Sequence, residues 1–329
     1  MRGFLLRRAK RAAANGSPGD AGFGRRTMCG GSHVAHPHPH RRAASFIRAP
    51  RCCRAFRRER IARFVIVTDD TPHDIAAQVA AARVVIERHL GATLEAIHLF
   101  GSVLDGGLKP RSDIDLLVTV AVRPDEAARH ALMSDLLGAS APPGCSGGMR
   151  ALEVTVVAHG DVVPWRHPAR RELQFGEWLR SDLDAGIVEP PLVDHDLAIL
   201  LTKAREHSIA LVGPPADVLF EPVPARDFVA ALLATVAQWQ AEPDWRDDAC
   251  NIVLALARIW YSAATGKIAP KDVAAAWVLA RLPDAHRPVL AAARAAYLDG
   301  DAGAAILSGE PLAEFIGYAR RTIESMLSA

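Results

Sequence analysis

Two aspartates, Asp113 and Asp115, lie one residue apart at the start of an apolar run, in the stretch HLFGSVLDGGLKPRSDIDLLVTV. Burying carboxylates in a strand is unfavourable unless a cation or hydrogen-bond donors compensate them. Side chains at i and i+2 of a strand point to the same face, so both carboxylates can reach one cation. Mg²⁺ is often held by one or two carboxylates together with substrate phosphates. The pair therefore predicts a magnesium site at the start of a strand.

A Gly-Ser dipeptide, Gly101-Ser102, follows the preceding apolar segment, and Glu153 lies in the alternating segment LEVTV. Glycine lets the backbone approach a ligand closely, and a serine hydroxyl with neighbouring N–H groups can cradle phosphate oxygens. Glu153 can bring a third carboxylate from a neighbouring strand. Taken singly, each feature is more often a turn, a solvated strand end or an exposed edge residue. Together they predict a nucleoside triphosphate that is joined to the carboxylates by a metal.

The distribution of charge divides the chain into a basic leader and an acidic body. Residues 1–63 contain 16 Lys+Arg and 2 Asp+Glu, whereas the remaining residues contain 23 Lys+Arg and 35 Asp+Glu. An acidic body favours cationic small molecules over nucleic acid. No apolar run reaches the roughly 18 residues that a membrane-spanning helix requires. Only two of the five cysteines, Cys145 and Cys250, lie in the body, so we expect a reducing, cytoplasmic location.

The leader, residues 1–63, has little apolar periodicity and is rich in Arg, Gly and Ala. Such a segment cannot bury enough surface to offset its ordering entropy. Three interpretations stay open: a basic arm that binds nucleic acid, an Arg-rich targeting peptide, or a start codon assigned too far upstream. We favour a disordered leader or a misassigned start.

The rest of the chain changes its periodicity near residue 170. Strands are predicted at Leu94–Phe100, Asp113–Val120 and Ala151–His159. Helices are predicted at Pro72–Leu90, Pro124–Leu137, Arg170–Leu183, Asp194–His207, Asp227–Gln240, Asp247–Thr265, Pro270–Leu282, His286–Asp299 and Pro311–Leu327. The proline-rich stretch Val212–Arg226 is typical of a linker. We therefore expect a domain of strands and helices at about 64–224 and a helical domain at about 225–329.

The Gly-Ser and Asp-x-Asp motifs resemble those of the nucleotidyltransferase superfamily that includes DNA polymerase β. The segments IHLFGSVLDGGLKPRSDIDLLVTV, RALEVTVV, QFGEWLRSD, NIVLALARIWY and PKDVAAAW resemble, more narrowly, the aminoglycoside adenylyltransferases that modify streptomycin and spectinomycin. The resemblance runs from about residue 67 to near the C-terminus and does not cover the leader. It implies an α+β fold, in which a polymerase-β-like nucleotidyltransferase domain with a mixed sheet precedes a C-terminal all-α helical bundle.

The resemblance also implies an activity and a set of site residues. AMP would be transferred from Mg-ATP to a hydroxyl of the antibiotic, pyrophosphate would be released, and the host would become resistant. Asp113 and Asp115 match the magnesium ligands, and Glu153 matches the base that takes the proton of the attacking hydroxyl. Nucleotide contacts are expected from Ser102, Ser112, Asp196, Arg258, Lys271 and Tyr297. Contacts with the antibiotic are expected from Trp178, Trp239, Asp244 and Asp248.

The acceptor and the partners are less closely specified. After Asp248 the chain reads Ala249, Cys250 and Asn251, where the family pattern has more polar residues, so the balance between the two drugs stays open. Streptomycin is polycationic and suits an acidic body, and the indole face of Trp178 can attract a guanidinium. Transfer to a protein or nucleic-acid acceptor is the alternative, and a binding module that uses the basic leader is a second. We expect a cytoplasmic monomer that binds ATP and the antibiotic, without membrane or nucleic acid.

Overall fold

The computed structural model describes residues 72, 74–145, 147–300 and 307–328. The predicted leader, residues 1–63, lies outside these ranges. The strands are β1 Leu94–Phe100, β2 Ile114–Val120, β3 Leu152–Ala158, β4 Ala169–Arg171, β5 Leu173–Phe175, β6 Leu192–Asp194 and β7 Ser208–Val212. The helices are α1 Ala76–Leu90, α2 Glu126–Leu136, α3 His159–Val162, α4 Arg180–Asp184, α5 Leu197–Glu206, α6 Ala216–Leu219, α7 Ala225–Val236, α8 Ala249–Thr265, α9 Lys271–Leu279, α10 Arg287–Asp299 and α11 Gly309–Leu327.

A five-stranded mixed sheet with the order β5-β3-β2-β1-β7 forms the centre of the N-terminal part. Strands β2 and β3 run parallel, and the other neighbours are antiparallel. Strands β4 and β6 form a separate antiparallel pair. The three predicted strands are therefore confirmed, as is the mixed sheet that the resemblance implied.

The sheet is covered on both faces, which explains why its central strands are apolar at nearly every position. One face, which includes Leu116 and Val154, packs with α1 and α2 in a single hydrophobic core. The opposite face, which includes Leu117 and Val157, packs against α5. Because side chains alternate along a strand, Asp113 and Asp115 share the face of Leu117. The carboxylates therefore lie on the α5 side of the sheet.

The helix predicted at Arg170–Leu183 is wrong. This segment forms β4 and β5, then a 3₁₀ turn at Glu177–Leu179, and only then the short helix α4. Its apolar residues fit a helical spacing, but β5 pairs with β3, which places Phe175 opposite Val154. Pairing with an existing sheet has overridden the local preference.

The sequence also failed to predict β6 and β7. Strand β7 adds to the sheet beside β1, with Ile209 opposite Leu99, and it is too short for its periodicity to stand out. The predicted linker Val212–Arg226 contains the short helix α6. Most of the helices expected before and after it are present, with ends shifted by a few residues.

The C-terminal helices pack around α8, whose apolar residues are buried on nearly all sides. Helix α7 begins at Ala225, where the second domain is predicted to start. Helix α5 nevertheless contributes Ala198 and Ile199 to the bundle core and Leu197 and Leu200 to the core beneath the sheet. The domain limits therefore stay a prediction. Among the described residues no helix combines the length and the apolarity needed to cross a membrane.

Candidate active site

A cleft of about 640 Å³ lies between the sheet and the helical bundle. Its walls come from the loops around β1 and β2, from α5, and from the starts of α8 and α9. Eleven of the predicted site residues line it: Ser102, Ser112, Asp113, Asp115, Glu153, Trp178, Asp196, Asp248, Arg258, Lys271 and Tyr297. Residues that lie far apart in the sequence thus surround one space, although their individual roles stay predictions.

Three carboxylates converge on the sheet side of the cleft. Asp115 of β2 lies directly opposite Glu153 of β3 in the parallel register, where neighbouring strands are about 4.8 Å apart. Asp113 precedes Asp115 by two residues and has the same facing. Glu153 is only 8% exposed. This is the arrangement that alternation along two adjacent strands predicts.

The cluster carries excess negative charge. Burial, followed by the charges of Glu153 and Asp115, raises the pKa of Asp113 to about 7, and Lys271 opposes that shift. A buried carboxyl group whose pKa is raised to about 7 favours a cation that can take the place of the proton. The electrostatics of these side chains therefore fit a cation site.

The carboxylates present fit a Mg²⁺ ion that is coordinated partly by the protein and partly by a bound substrate. In the part of the chain that the structure describes, no group of three or more His, Cys, Asp and Glu side chains is arranged to hold a metal by itself. Mg²⁺ commonly uses one or two carboxylates and takes its remaining ligands from water and phosphate oxygens. Asp113 and Asp115 offer such a partial set of hard oxygen donors.

Gly101 makes room for one of these carboxylates. Its φ is +89°, and a Cβ at this position would lie 1.8 Å from Oδ2 of Asp115. The absence of a side chain at Gly101 thus allows close approach to Asp115, and the predicted close approach to a ligand stays a prediction. Ser102 follows in a 3₁₀ turn, Gly101–Val103, and lines the cleft.

Ser112 is fixed from two sides. Its Oγ accepts a hydrogen bond from the backbone N–H of Lys109 at 3.0 Å, and Arg150 donates to the carbonyls of Lys109 and Ser112 at 2.9 and 3.3 Å. The Ser112 side chain is also hydrogen-bonded to Tyr297, whose pKa is raised by burial. The loop before β2 is thus tied to the bundle across the cleft.

Three cations face the carboxylates. Arg258 projects from α8, and Lys271 begins α9 with its Nζ 5.4 Å from the centre of the Tyr297 ring. Lys203 of α5, which the sequence did not single out, lies with its Nζ 3.1 Å from Oδ2 of Asp105. Burial lowers the pKa of Lys203, and Arg258 lowers it further. A lysine within the apolar run LAILLTKARE was the available signal for this residue.

An aromatic residue, Trp178, and an aspartate, Asp248, also line the cleft. Trp178 stands in the 3₁₀ turn after β5, and its buried Nε1 has no hydrogen-bond partner among the described side chains and backbone. Asp248 precedes α8 and accepts a hydrogen bond from Asn251 at 2.8 Å, while Asn251 accepts one from Lys271 at 3.1 Å. Glu177 also lines the cleft, but its carboxylate is paired with Arg180 at 2.7 Å. Negative charge beside an indole face suits a cationic ligand.

Two predicted drug contacts lie elsewhere. Trp239 is 1% exposed within the bundle core. Asp244 accepts hydrogen bonds from the backbone N–H groups of Gln240 and Ala241 at 2.8 and 2.9 Å, so it caps a 3₁₀ turn. Neither residue lines the cleft, and their contact with the drug stays a prediction without support from this geometry.

Comparison with known proteins identifies the family. The Nucleotidyltransferase domain family matches residues 82–142, and the family "Aminoglycoside adenylyltransferase, C-terminal domain" matches residues 218–322. The aminoglycoside (3'')(9) adenylyltransferase of Escherichia coli is 56% identical over 254 residues, which cover 77% of this chain and 97% of that relative. The chain belongs to the aminoglycoside (3'')(9) adenylyltransferase family.

Other adenylyltransferases are similar at greater distance. Spectinomycin 9-adenylyltransferase of Staphylococcus aureus is 37% identical over 213 residues, which cover 65% of this chain and 81% of that protein. A spectinomycin adenyltransferase from Enterococcus faecialis, solved with ATP and spectinomycin, has a TM-score of 0.71 and 27% identity and covers 75% of this chain. The α+β fold that the resemblance implied for this adenylyltransferase is therefore confirmed.

Proposed function

We propose that this enzyme transfers AMP from ATP to a hydroxyl of streptomycin or spectinomycin, releases pyrophosphate and so confers resistance. The observation that carries the proposal is the convergence of Asp113, Asp115 and Glu153 opposite Arg258 and Lys271 in one cleft. The family membership supports the same reaction, because relatives bear the names of aminoglycoside and spectinomycin adenylyltransferases.

Each group of side chains in the cleft has a separate role in the proposed reaction. Glu153 takes the proton of the attacking hydroxyl as general base, and Arg258 and Lys271 neutralise the triphosphate from the bundle side. Asp113 and Asp115 would hold magnesium, which when bound stabilises charge on the attacking and leaving oxygens. Placing base, nucleotide and drug in one cleft also lowers the entropic cost of bringing them together.

The antibiotic occupies the part of the cleft beside Trp178 and Asp248 in this proposal. Trp178 offers an aromatic face, and Asp248 offers a carboxylate that attracts a polycation. Asn251 joins Asp248 to Lys271 by two hydrogen bonds, so the drug end and the phosphate end are physically connected. We further propose that the enzyme works as a cytoplasmic monomer and that neither membrane nor nucleic acid takes part.

The test combines Glu153→Gln with mass spectrometry of both drugs after incubation with ATP and Mg²⁺. Removal of the base is expected to lower adenylylation by about 10²- to 10⁴-fold, because the hydroxyl keeps its proton. The dissociation constant of ATP, measured by calorimetry, should stay within about twofold of the wild-type value, because Arg258 and Lys271 are unchanged.

The matched control is Glu126→Gln, which alters a glutamate whose side chain is 81% exposed on α2, and it should leave the rate unchanged. Near-wild-type transfer by Glu153→Gln would refute the base assignment. If the wild-type protein adenylylates neither drug but labels a protein or a nucleic-acid end, the acceptor is the alternative one.

A further inference from the structure

A buried chain of hydrogen bonds lies behind Glu153. Its Oε1 accepts a hydrogen bond from Nε2 of Gln174 at 3.0 Å. Oε1 of Gln174 in turn accepts a short hydrogen bond from Arg171. Arg171 also donates to Oδ2 of Asp194 at 2.6 Å. Gln174, Arg171 and Asp194 are 4%, 3% and 3% exposed, so water does not compete for these contacts.

The donor and the acceptor of each hydrogen bond in this series follow from the chemistry of the side chains. A guanidinium can only donate, so it must face the carbonyl oxygen of the Gln174 amide. The amide NH₂ group is therefore turned towards Glu153, which leaves no ambiguity in the orientation of Gln174. Charge balance sets the other end, because the buried cation Arg171 is paired with the carboxylate of Asp194. Gln174 is thus a neutral connector between an ion pair and the proposed base.

The residues of this hydrogen-bond series lie on three strands, and the series extends to the helical bundle. Gln174 lies on β5, opposite Thr155 of β3, and Arg171 and Asp194 lie on the paired strands β4 and β6. Oδ1 of Asp194 accepts the backbone N–H of Asp196 at 2.9 Å, and Oδ1 of Asp196 accepts from the Thr235 hydroxyl at 2.7 Å. The support of Glu153 is therefore built into the sheet and joined to α7.

We propose that Gln174, Arg171 and Asp194 are positioning residues that hold the Glu153 carboxylate at the reacting hydroxyl. The proposal rests on Glu153 as the base in the proposed function. Glu153 and Asp113 repel each other, and the Gln174 amide opposes that repulsion by holding the Glu153 carboxylate. A displacement of about 1 Å at a reacting group can cost about 10²-fold in rate.

The experiment is a double-mutant cycle of Gln174→Met with Glu153→Gln, with kcat and KM measured for ATP and the drug. Methionine keeps the length of the side chain but cannot donate to Glu153. In the otherwise wild-type chain, kcat should fall about 10- to 100-fold, and KM for ATP should stay within about twofold. In the Glu153→Gln chain, Gln174→Met should cause no further loss of kcat, because a residue that acts through the base has nothing left to position.

Gln78→Met is the matched control. Gln78 also forms internal hydrogen bonds, to the backbone of Ala139 and Arg150 at 2.7 to 3.0 Å, but it does not contact Glu153. It should lower the melting temperature and leave kcat within about twofold. If Gln174→Met does not fold, the cycle is run with Gln174→Glu, which keeps the acceptor of Arg171 and should lower kcat at least as much, again only when Glu153 is present.

An equal fold-loss in both backgrounds, or an unchanged kcat in the single variant, would overturn the positioning role. Full activity of Glu153→Gln alone would instead refute the assignment of Glu153 as the base, on which the positioning role rests, so the two failures are distinguishable.

Discussion

Three carboxylates lie close together in the active site, and the residues around them fit their positions. Asp113, Asp115 and Glu153 occupy one face of two adjacent strands, and the space for Asp115 exists because residue 101 has no side chain. Each of these residues constrains the next, so small substitutions here should affect catalysis more than folding.

Gly101→Ala is expected to lower kcat/KM by about 10²-fold or more, because its Cβ would occupy the position of the Asp115 carboxylate and displace it. Steady-state kinetics with ATP and the drug measures this loss. Gly107→Ala is the matched control: φ at Gly107 is +79°, so the backbone strain is similar, but no atom lies within 4 Å of the added Cβ. Equal losses in the two variants would show that strain, not displacement of Asp115, is responsible.

Asp113 makes the stability of the metal-free protein depend on pH. The pKa of its carboxyl is about 7 in the folded chain, against an ordinary value of 3.8 for an aspartate. The folded state thus binds more protons than the unfolded state between these values, and stability falls as pH rises towards 7. Relative to wild type, Asp113→Asn should gain on the order of 2 kcal/mol from pH 5 to pH 8 without divalent cations.

Thermal melts at the two pH values measure this difference, and Asp217→Asn, on an exposed part of α6, is the control. A parallel pH dependence in wild type and Asp113→Asn would show that Asp113 is ionised throughout.

Some site residues could be predicted from the sequence and others could not. Asp113, Asp115 and Glu153 were accessible because alternation along a strand fixes their facing. Gln174 and Lys203 were not, because their partners Glu153 and Asp105 lie 21 and 98 positions away and no local pattern connects them. Trp239 is a residue that the sequence wrongly suggests is accessible. No local pattern distinguishes a tryptophan that faces a ligand from one that packs inside the helical bundle, where Trp239 lies.

Secondary structure was predictable where a segment's own periodicity agreed with its surroundings. Strands β1 to β3 and the long bundle helices are of this kind. The segment 170–183 is not, because its apolar residues fit a helical spacing and only the pairing with the edge of β3 decides in favour of β5. The consequence is functional, because β4 and β5 carry Arg171 and Gln174, and the turn after β5 carries Trp178.

The 3₁₀ turn after β5 leaves no room for a side chain on Gly176. A Cβ on Gly176 would lie 2.2 Å from two ring atoms of Trp178, although the backbone there is extended at φ −171°. Gly176→Ala should push the indole aside and raise KM for the antibiotic by about 10-fold, with KM for ATP unchanged. Gly160→Ala, where nothing lies within 4 Å, is the control, and an unchanged drug KM in Gly176→Ala would remove Trp178 from the drug site.

In the whole molecule, carboxylates and cationic side chains lie on opposite walls of one cleft. The sheet supplies carboxylates and the bundle supplies Arg258 and Lys271, while α5 packs into the cores on both sides. This shared helix fixes the distance between the walls. A nucleotide bridged to the sheet by a cation and to the bundle by its phosphates would therefore bind both parts at once.

The most direct measurement is a crystal structure of the protein with magnesium, the antibiotic and a non-hydrolysable ATP analogue. We expect a metal at about 2.0–2.1 Å from oxygens of Asp113 and Asp115, phosphates beside Arg258 and Lys271, and a drug hydroxyl within hydrogen-bonding distance of Glu153. A nucleotide bound away from the three carboxylates, or a drug hydroxyl out of reach of Glu153, would contradict this expectation.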